Sequence, residues 1–515
     1  MALFRGLKAL LSINAILLNR ADRLLNRAQS APQQREAPQH LTNMKEKTAL
    51  SAIIREGRCR TTGSMMALVA RLAVPSVMAQ LAMIVMEYID AAMVGSLGAV
   101  SAASIGLIAT STWLFNGVCG ASATGFYVQV AHYLGAGRPA DARSVARQAF
   151  TAVLLFCVAV GLTGVLIAPH LPHWLGAPPE IQAGASAYFM IFSAALPVMG
   201  INFLATGLLR CAGNVTVPGL LGVGMCVLDV VFNYFLIFPT RQVNLLGSTV
   251  TMPGAGLGVE GAAIGTASAA LVTTVIVVAY LWWGRSELRM SGERGSFRPV
   301  KKILMRAVRV ASPIGAERFI TNMAQVVLTI IVAPLGAAAI AANSFAVTVE
   351  GFCYMPGYGI GDAATTLTGQ CLGAGNKPMA RRFANLTVLM GMVTMGLMGV
   401  LMYLTAPAVI GLMTPDAQIV DLGVMALRIE AWAEPLFAAS IVCYGVFVGA
   451  GDTLIPCGMN LGSMWVVRIT LAALLAPVMG LKGVWIAMCV ELCFRGIIFL
   501  IRLRSGAWLT KTLIK

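Results

Sequence analysis

The stretch PSVMAQLAMI…AHYLGAG, residues 75–137, has a second copy 238 positions further along the chain. Its opening Pro75 returns as Pro313, and its closing LGAG turn at 134–137 returns at 372–375, without a gap. Few other residues match, so the copies share mainly the places where helices bend and turn. This pattern is typical of a duplicated membrane fold.

The repeat continues at the same spacing past the LGAG turns. The further pairs are Pro197 and Pro435, Gly207 and Gly445, Gly213 and Gly451, and Pro218 and Pro456. The spacing then falls to 222 at Gly261 and Gly483. The first half therefore carries about 16 extra residues near 240–255, where Pro253 and Gly254 predict a polar loop.

The composition excludes an ordinary soluble enzyme. Of 515 residues, 58% are hydrophobic and only 11% are charged, whereas soluble domains carry about 25% charged residues. The net charge of +16 would suggest nucleic-acid binding in a soluble protein. Here the charge lies mostly in loops and the N-terminal tail, so membrane orientation explains it and no nucleic-acid partner is expected.

The sequence also lacks the motifs of a catalytic or metal site. There is no HExxH, GxxxxGKS/T or GxSxG pattern, and the 11 cysteines show no zinc-type spacing. Cys489 and Cys493 lie four apart on a presumed helix and are interpreted as packing residues. We therefore expect no enzymatic activity, no bound metal and no cofactor.

Apolar segments long enough to cross a bilayer, about 20 residues each, occur twelve times. They are residues 66–93, 100–131, 145–168, 184–209, 217–239, 257–283, 306–333, 338–370, 383–405, 422–448, 455–477 and 482–504. We predict an all-α polytopic membrane protein, with twelve transmembrane helices in two six-helix lobes around a central cavity.

The distribution of Lys and Arg predicts the topology. With the N-terminus inside, the inward loops beyond the first span carry 15 basic residues, whereas the outward loops carry only Arg241 and Lys482. This bias indicates an even number of spans, with both termini on the cytoplasmic side of the cell's inner membrane. Both halves then insert the same way up, so the repeats are parallel rather than inverted.

Five segments follow from the spans and the charge. They are a basic N-terminal extension at 1–64, an N-lobe at 65–283, a cytoplasmic linker at 284–305, a C-lobe at 306–505 and a cytoplasmic tail at 506–515. In the extension, apolar residues from Leu3 to Leu11 recur at helical spacing among basic residues, which predicts an amphipathic helix on the inner leaflet. The alternatives are that this segment is dispensable or that Met44 is the true start.

The pattern of Pro75, Gln80 and Asp90 in the first predicted span is similar to the first helix of the multidrug and toxic compound extrusion (MATE) transporters of bacteria. The LGAG turns and residues 210–218 and 449–456 resemble the same family. The resemblance implies export of bulky, often cationic, organic compounds, driven by the entry of protons or sodium ions. We expect small organic molecules and membrane lipids as partners. We also expect a monomer, although the sequence does not fix the oligomeric state.

Acidic side chains inside predicted spans are candidate coupling groups. Placing each one in the membrane costs about 2.5–3.5 kcal/mol on insertion scales, so its presence there indicates a function. Asp90 stands at the place of the first-helix aspartate of the family. It lies three residues after Glu87, so both carboxylates can share one helix face. Two carboxylates at low dielectric hold a proton or a small cation more readily than one. The alternative is a structural hydrogen bond of Asp90 at the helix end.

Asp229 and Asn233 lie four residues apart in the fifth predicted span, and they complete the predicted proton or cation group with Asp90 and Glu87. One branch of the family carries an Asn followed by an Asp at these places, and the order is reversed here. The coupling ion, H⁺ or Na⁺, stays open, since oxygen ligands also suit sodium. Asn202 in the fourth span is a weaker candidate for the substrate cavity, interpreted mainly as a helix–helix hydrogen-bonding residue.

The second half offers different acids for the substrate cavity. Another family branch has a Glu in the seventh span at the place of Thr321. Glu317, one turn earlier, either substitutes for it or pairs with a neighbouring helix. Glu350 and Asp362 in the eighth span are predicted cavity acids that attract cationic cargo. Glu430 lies four residues before another Glu, and this like-charged pair needs a proton, a cation or a basic residue of the next span.

A second hypothesis keeps the fold and changes the cargo to a lipid-linked saccharide or another amphiphile. It expects a strongly basic cavity for a pyrophosphate group. Arginines do occur inside the spans, Arg318 and Arg495 among them, but acids are more numerous there, which favours cationic cargo. A membrane-embedded enzyme would need clustered nucleophiles or metal ligands, which the sequence does not offer.

Overall fold

The computed structural model describes residues 50–57, 61–245, 248–284, 286–291, 295–511 and 513–514. The first half contains helices α1 (Leu50–Arg55), α2 (Thr62–Gly95), α3 (Ala99–Gly135), α4 (Pro139–Ile167), α5 (Leu171–Trp174), α6 (Pro179–Cys211), α7 (Thr216–Ile237) and α8 (Gly258–Trp283). The second half contains α9 (Lys301–Val332), α10 (Ala337–Gly373), α11 (Lys377–Met413), α12 (Ala417–Glu430), α13 (Glu434–Ala450), α14 (Leu454–Gly462), α15 (Thr470–Met479) and α16 (Leu481–Ser505). The amphipathic helix predicted near Leu3 lies outside the described residues.

The twelve predicted spans are confirmed within the described chain. Eleven helical stretches are long and apolar enough to cross a membrane, and α12 and α13 together make the twelfth, bent by 59°. The sequence predicts one continuous tenth span at 422–448, but α12 ends at Glu430 and α13 begins at Glu434. Pro435 favours the break, because a proline has no N–H to donate and its ring clashes with the carbonyl group four residues earlier. Its repeat partner Pro197 lies inside the continuous helix α6, so the proline alone does not cause it.

The extra residues of the first half form a β-hairpin rather than the predicted loop. Strand β1 (Pro239–Leu245) pairs antiparallel with β2 (Ser248–Ala255) between α7 and α8. The Arg241 guanidinium group lies over the Phe238 ring, 4.0 Å from its centroid, and fixes the base of the hairpin on α7. Pro253 disfavours a strand by intrinsic preference, and pairing with the neighbouring strand outweighs that preference here.

Helices α2–α8 and α9–α16 pack into two lobes, and each lobe has its own buried core. The lobes meet where α2 packs along α10, and where α3 packs along α9 and α10. The first half of α2 also enters the core of the second lobe, where Leu68 and Leu72 share one buried cluster with Leu367 of α10. Helix α2 therefore belongs to both lobes.

The lobes approach closely at the end of the bundle that carries the two LGAG turns, which we call the turn end. A Cβ atom at Gly135 of α3 would overlap the carbonyl group of Gln370 of α10, and one at Gly373 would overlap the carbonyl group of His132. His132 and Gln370 are 238 positions apart, as are Gly135 and Gly373. The two contacts are therefore one contact repeated about the axis that relates the lobes, and we call them the seam.

Two hydrogen bonds across the seam follow the same symmetry. Nε2 of His132 lies 2.9 Å from the carbonyl oxygen of Gly449, a bond that needs the tautomer protonated at Nε2. Nε2 of Gln370 donates to the carbonyl oxygen of Cys211 at 2.6 Å. Cys211 and Gly449 are again 238 positions apart. The side chains of His132 and Gln370 are buried, so water cannot hydrogen-bond to them. Each bond across the seam therefore satisfies a polar group that would be costly to leave without a partner.

Both ends of the described chain pack at the turn end. Leu50 of α1 lies against Gly213, at the turn between α6 and α7. Leu513 lies against Gly451, which is the equivalent position 238 residues later. The two ends thus lie on one side of the bundle, as an even number of spans requires.

The C-terminal tail covers the turn end between the lobes. Trp508 is fully buried and donates its indole N–H to the carbonyl oxygen of Leu503 at 3.1 Å. Lys511 lies 3.9 Å from the carboxylate of Asp452. Beyond them, Ile514 packs against the core of the first lobe and against a buried cluster that α3, α9 and α13 share. The tail is therefore in contact with both lobes.

Replacing Gly135 with Ala should destabilise the closed seam, because the new Cβ atom overlaps the Gln370 carbonyl group and forces the backbones apart. We expect the stability of the protein to fall by about 1–3 kcal/mol, the usual cost of overpacking. Gly106→Ala on the same helix is the control, since a Cβ atom there meets nothing within 4 Å. Thermal unfolding of the two purified variants measures the difference, and equal stabilities would contradict the close approach.

Candidate functional site

Three polar side chains from two helices meet in the first lobe. Asn233 of α7 donates its Nδ2 to Oδ1 of Asp90 on α2 at 2.8 Å, and to Oδ2 of Asp229, one turn earlier on α7, at 3.0 Å. Asp229 and Asn233 are fully buried, and Asp90 is partly buried. The structure thus brings together three of the four residues predicted for ion coupling, and the reversed order of Asn and Asp does not prevent their meeting.

Two carboxyl groups share one amide here, so the group would carry two negative charges if both were ionised. The carboxyl groups of Asp90 and Asp229 also interact with each other. Among the described residues, Oδ1 of Asp229 and Oδ1 of Asn233 have no hydrogen-bond partner. Adjacent carboxylates repel each other in a low dielectric unless a proton or a cation lies between them. This group can therefore hold a proton, or bind a small cation through its oxygen atoms.

Glycine on a third helix makes room for the group. A Cβ atom at Gly265 of α8 would overlap Oδ1 of Asn233. A small residue here lets α8 approach α7 at the depth of the two carboxylates, as small residues do in membrane helix packing. Gly265 was not predicted as part of the site, because no local pattern distinguishes it from the other glycines of the spans.

The remaining two candidates of the first lobe lie apart from this group. Glu87 is exposed on α2, one turn before Asp90, and hydrogen-bonds to none of the described residues. Nδ2 of Asn202 donates to Oγ1 of Thr274 at 3.0 Å, which ties α6 to α8. Asn202 therefore serves the packing of two helices, and it does not reach the cavity described next.

A cavity of about 240 Å³ lies between the lobes and is lined mainly by the second lobe. Helix α3 of the first lobe contributes Tyr127, and α9 contributes Glu317 and Arg318 near its midpoint. Helices α10, α13, α14 and α16 supply most of the remaining wall. Of the predicted cavity acids, Glu317 and Asp362 lie in this wall.

Both acids of the cavity wall already have partners. Glu317 accepts hydrogen bonds from the Tyr444 hydroxyl group of α13 and from Nδ2 of Asn460 of α14, each at 2.6 Å. Asp362 forms an ion pair with Arg210, which belongs to the first lobe. For Glu317 this is the second of the two alternatives stated above, pairing with a neighbouring helix. The partners themselves were not predicted, because they lie far along the chain and no short motif links them to the two acids.

Glu350 and Glu430 lie outside the cavity wall. With Glu434 they form a second buried acidic group between α10, α12 and α13, and none of the three side chains is more than 6% exposed. Neither Glu430 nor Glu434 accepts a hydrogen bond from a described residue. Arg468 of the π-helical turn between α14 and α15 attracts Glu350 and Glu430 electrostatically. A basic residue of the next span thus offsets part of the like charge.

Two parallel repeats of six spans, with buried acids and a cavity between the lobes, define a membrane transporter rather than an enzyme. The family model of MatE matches residues 75–235 and 313–474, which are the two halves of the repeat. The chain belongs to the MatE family.

Individual relatives agree with this assignment. A probable multidrug resistance protein NorM of Thermotoga maritima is 26% identical over 445 residues, which are 85% of this chain and 92% of that protein. The multidrug resistance protein MdtK of Yersinia pseudotuberculosis is 25% identical over 450 residues, or 85% and 94% of the two chains. A crystal structure of MATE in complex with MaL6 has the same fold, with a TM-score of 0.81 at 21% identity, over 90% of this chain and 99% of that one.

Gly265→Ala should remove ion binding from the first lobe, because the new Cβ atom displaces Asn233 from between the two carboxylates. A bound ion stabilises the folded protein by about 2.7 kcal/mol when the free ion exceeds its Kd a hundredfold. We expect the wild-type protein to show such stabilisation on titration with Na⁺ or with acid, and Gly265→Ala to lack it. Thermal unfolding measures both.

Gly224→Ala on α7 is the matched control, since a Cβ atom at that position meets nothing within 4 Å. It should keep the ion-dependent stabilisation of the wild-type protein. Equal responses of the Gly265 and Gly224 variants would show that the group does not bind the ion.

Proposed function

We propose that the protein exports small organic compounds from the cytoplasm in exchange for H⁺ or Na⁺. The NorM and MdtK relatives are named multidrug resistance proteins, which supports drug-like cargo. The excess of Lys and Arg in one set of loops supports an inner-membrane orientation with the turn end and both termini in the cytoplasm. The coupling site is the group formed by Asp90, Asp229 and Asn233.

The single amide shared by Asp90 and Asp229 is the observation that supports this proposal most strongly. An ion that binds there removes the repulsion between two carboxylates and lowers the cost of keeping them in the membrane. The carboxylates sit on different helices, so the affinity for the ion depends on the spacing of α2 and α7. Such a difference in affinity between conformations is what couples ion entry to a change of shape.

Helix α2 supplies a route from the ion site to the other lobe. Tyr88, two residues before Asp90, donates its hydroxyl group to the Thr348 carbonyl oxygen of α10 at 2.7 Å. The Tyr88 ring also stacks on Phe352, with ring centroids 5.3 Å apart. A movement of Asp90 relative to α7 therefore displaces Tyr88 and changes the contact between the lobes. In this mechanism the lobes rock, and the seam parts when the cavity faces the cytoplasm.

The proposal is tested with purified protein in liposomes under an imposed proton gradient or an imposed Na⁺ gradient. Transport of ethidium, a cationic dye, and of fluorescein, an anionic dye, is followed by fluorescence. We expect Asp90→Asn and Asp229→Asn to reduce gradient-driven transport to the level of protein-free liposomes, because one carboxylate can no longer respond to the ion. The gradient that drives the wild-type protein identifies the coupling ion.

Asp141→Asn is the control for these variants, because Asp141 lies in an exposed ion pair with Arg138 and should transport like the wild-type protein. Thermal unfolding shows whether each variant is folded. Full gradient-driven transport by Asp90→Asn would refute the assignment of the coupling site.

A further inference from the structure

One charged side chain in the cavity wall forms no ion pair with a described residue. Arg318 lies near the midpoint of α9 and is exposed to the cavity. Its aliphatic stem packs along α3, where a Cβ atom at Gly117 would lie 3.4 Å from Cγ of Arg318. Among the residues that the structure describes, none forms an ion pair or a hydrogen bond with its guanidinium group. The stem is thus held in place while the charged end stays free.

The other three charged residues of the wall are already engaged. Arg495 donates two hydrogen bonds of 2.8 Å to Glu491. Asp362 is paired with Arg210. Both carboxylate oxygens of Glu317 accept hydrogen bonds from neutral donors, a tyrosine and an asparagine. Of the charged donors in the wall, the Arg318 guanidinium group is therefore the one without a hydrogen bond to a described residue.

The surroundings of this guanidinium group are aromatic. Tyr127 of α3, Tyr358 of α10 and Tyr444 of α13 line the same cavity. Two of the three hydroxyl groups are already bonded, Tyr444 to Glu317 and Tyr127 to Oγ1 of Thr124 at 3.0 Å. Tyrosine rings supply apolar surface for a flat ligand, whereas the guanidinium group offers five N–H donors in a planar fork.

We infer that the cavity binds an aromatic compound that carries a carboxylate or sulfonate group, with the acid group on Arg318 and the ring among the three tyrosines. A guanidinium group without a partner in a cavity between membrane helices is costly, and a carboxylate or sulfonate group offsets that cost by accepting two hydrogen bonds from its parallel donors. A cation gains less, because it is repelled by Arg318 and finds the oxygens of Glu317 already bonded. The inference rests on the proposed export of organic compounds, takes the cavity as the site that binds them, and narrows the class of compound.

The number of acids in the spans favours cationic cargo instead, since acids outnumber arginines there. Most of those acids lie outside the cavity wall. Asp90 and Asp229 belong to the ion site of the first lobe, and Glu350, Glu430 and Glu434 form a separate buried group. The charge that cargo meets is therefore set by the few residues of the wall. Among the described charged residues of the wall, Arg318 alone has a side chain with neither an ion pair nor a hydrogen bond.

Two probes of similar shape and opposite charge test the inference. Binding of naphthalene-2-sulfonate and of N-methylquinolinium to the purified protein in lipid nanodiscs is measured by equilibrium dialysis, with empty nanodiscs to subtract partitioning into lipid. We expect the wild-type protein to bind the sulfonate more tightly. Arg318→Gln should weaken sulfonate binding about tenfold or more, the effect of removing a charge-assisted hydrogen bond, and should leave quinolinium binding unchanged or tighter.

Two further variants make the result specific. Arg318→Lys keeps the charge and should keep part of the sulfonate affinity, because an ammonium group lacks the planar fork. Arg309→Gln is the matched control, since Arg309 is an exposed residue nine positions earlier on the same helix, and it should bind both probes like the wild-type protein. Thermal unfolding of each variant checks that it is folded.

Selective loss of sulfonate binding in Arg318→Gln supports the inference. Equal or tighter binding of quinolinium by the wild-type protein would overturn it. An unchanged sulfonate affinity in Arg318→Gln would overturn it as well, and so would a parallel loss of both probes, which indicates a structural role. None of these measurements uses an ion gradient, so the coupling role of Asp90 and Asp229 is decided separately by transport.

Discussion

The seam between α3 and α10 is the contact on which the rest of the structure depends. The two helices meet backbone to backbone because Gly135 and Gly373 carry no side chains, and His132 and Gln370 each bond to the other lobe. Small residues are what allow helices to pack this closely in a membrane. Because the duplication places the same contact twice about one axis, the two halves of the seam part together or stay closed together.

Helix α2 connects this symmetric contact to a site that has no symmetric copy. Its first half is fixed in the core of the second lobe through Leu68 and Leu72, and its second half carries Asp90 to α7 of the first lobe. Pro75 lies between these attachments inside a continuous helix and removes one backbone hydrogen bond there. The helix therefore lacks one backbone hydrogen bond between its two anchors, and in the proposed mechanism a change of charge at Asp90 bends the helix there.

The sequence was sufficient for the spans and the repeat, because apolar length, glycine and proline act locally. The acids of the first-lobe site could be found because carboxylates are rare in apolar helices. Pro435 was equally visible, yet the break between α12 and α13 depends also on how the neighbouring helices pack. The charge of the cavity could not be predicted from the sequence, because the partners of its acids are distant in the chain. Glu317 and Tyr444 are 127 residues apart, and Asp362 and Arg210 are 152 residues apart. Only tertiary packing decides which charges cancel.

The position of the C-terminal tail has a practical consequence. Because Ile514 packs against both lobes at the turn end, any motion that separates the lobes there must displace it. A fluorescent protein or an affinity tag joined directly after this residue would hinder that displacement. It would therefore change the populations of the conformations that it is meant to report. A label in the hairpin between β1 and β2, at the opposite end of the bundle, leaves that motion undisturbed.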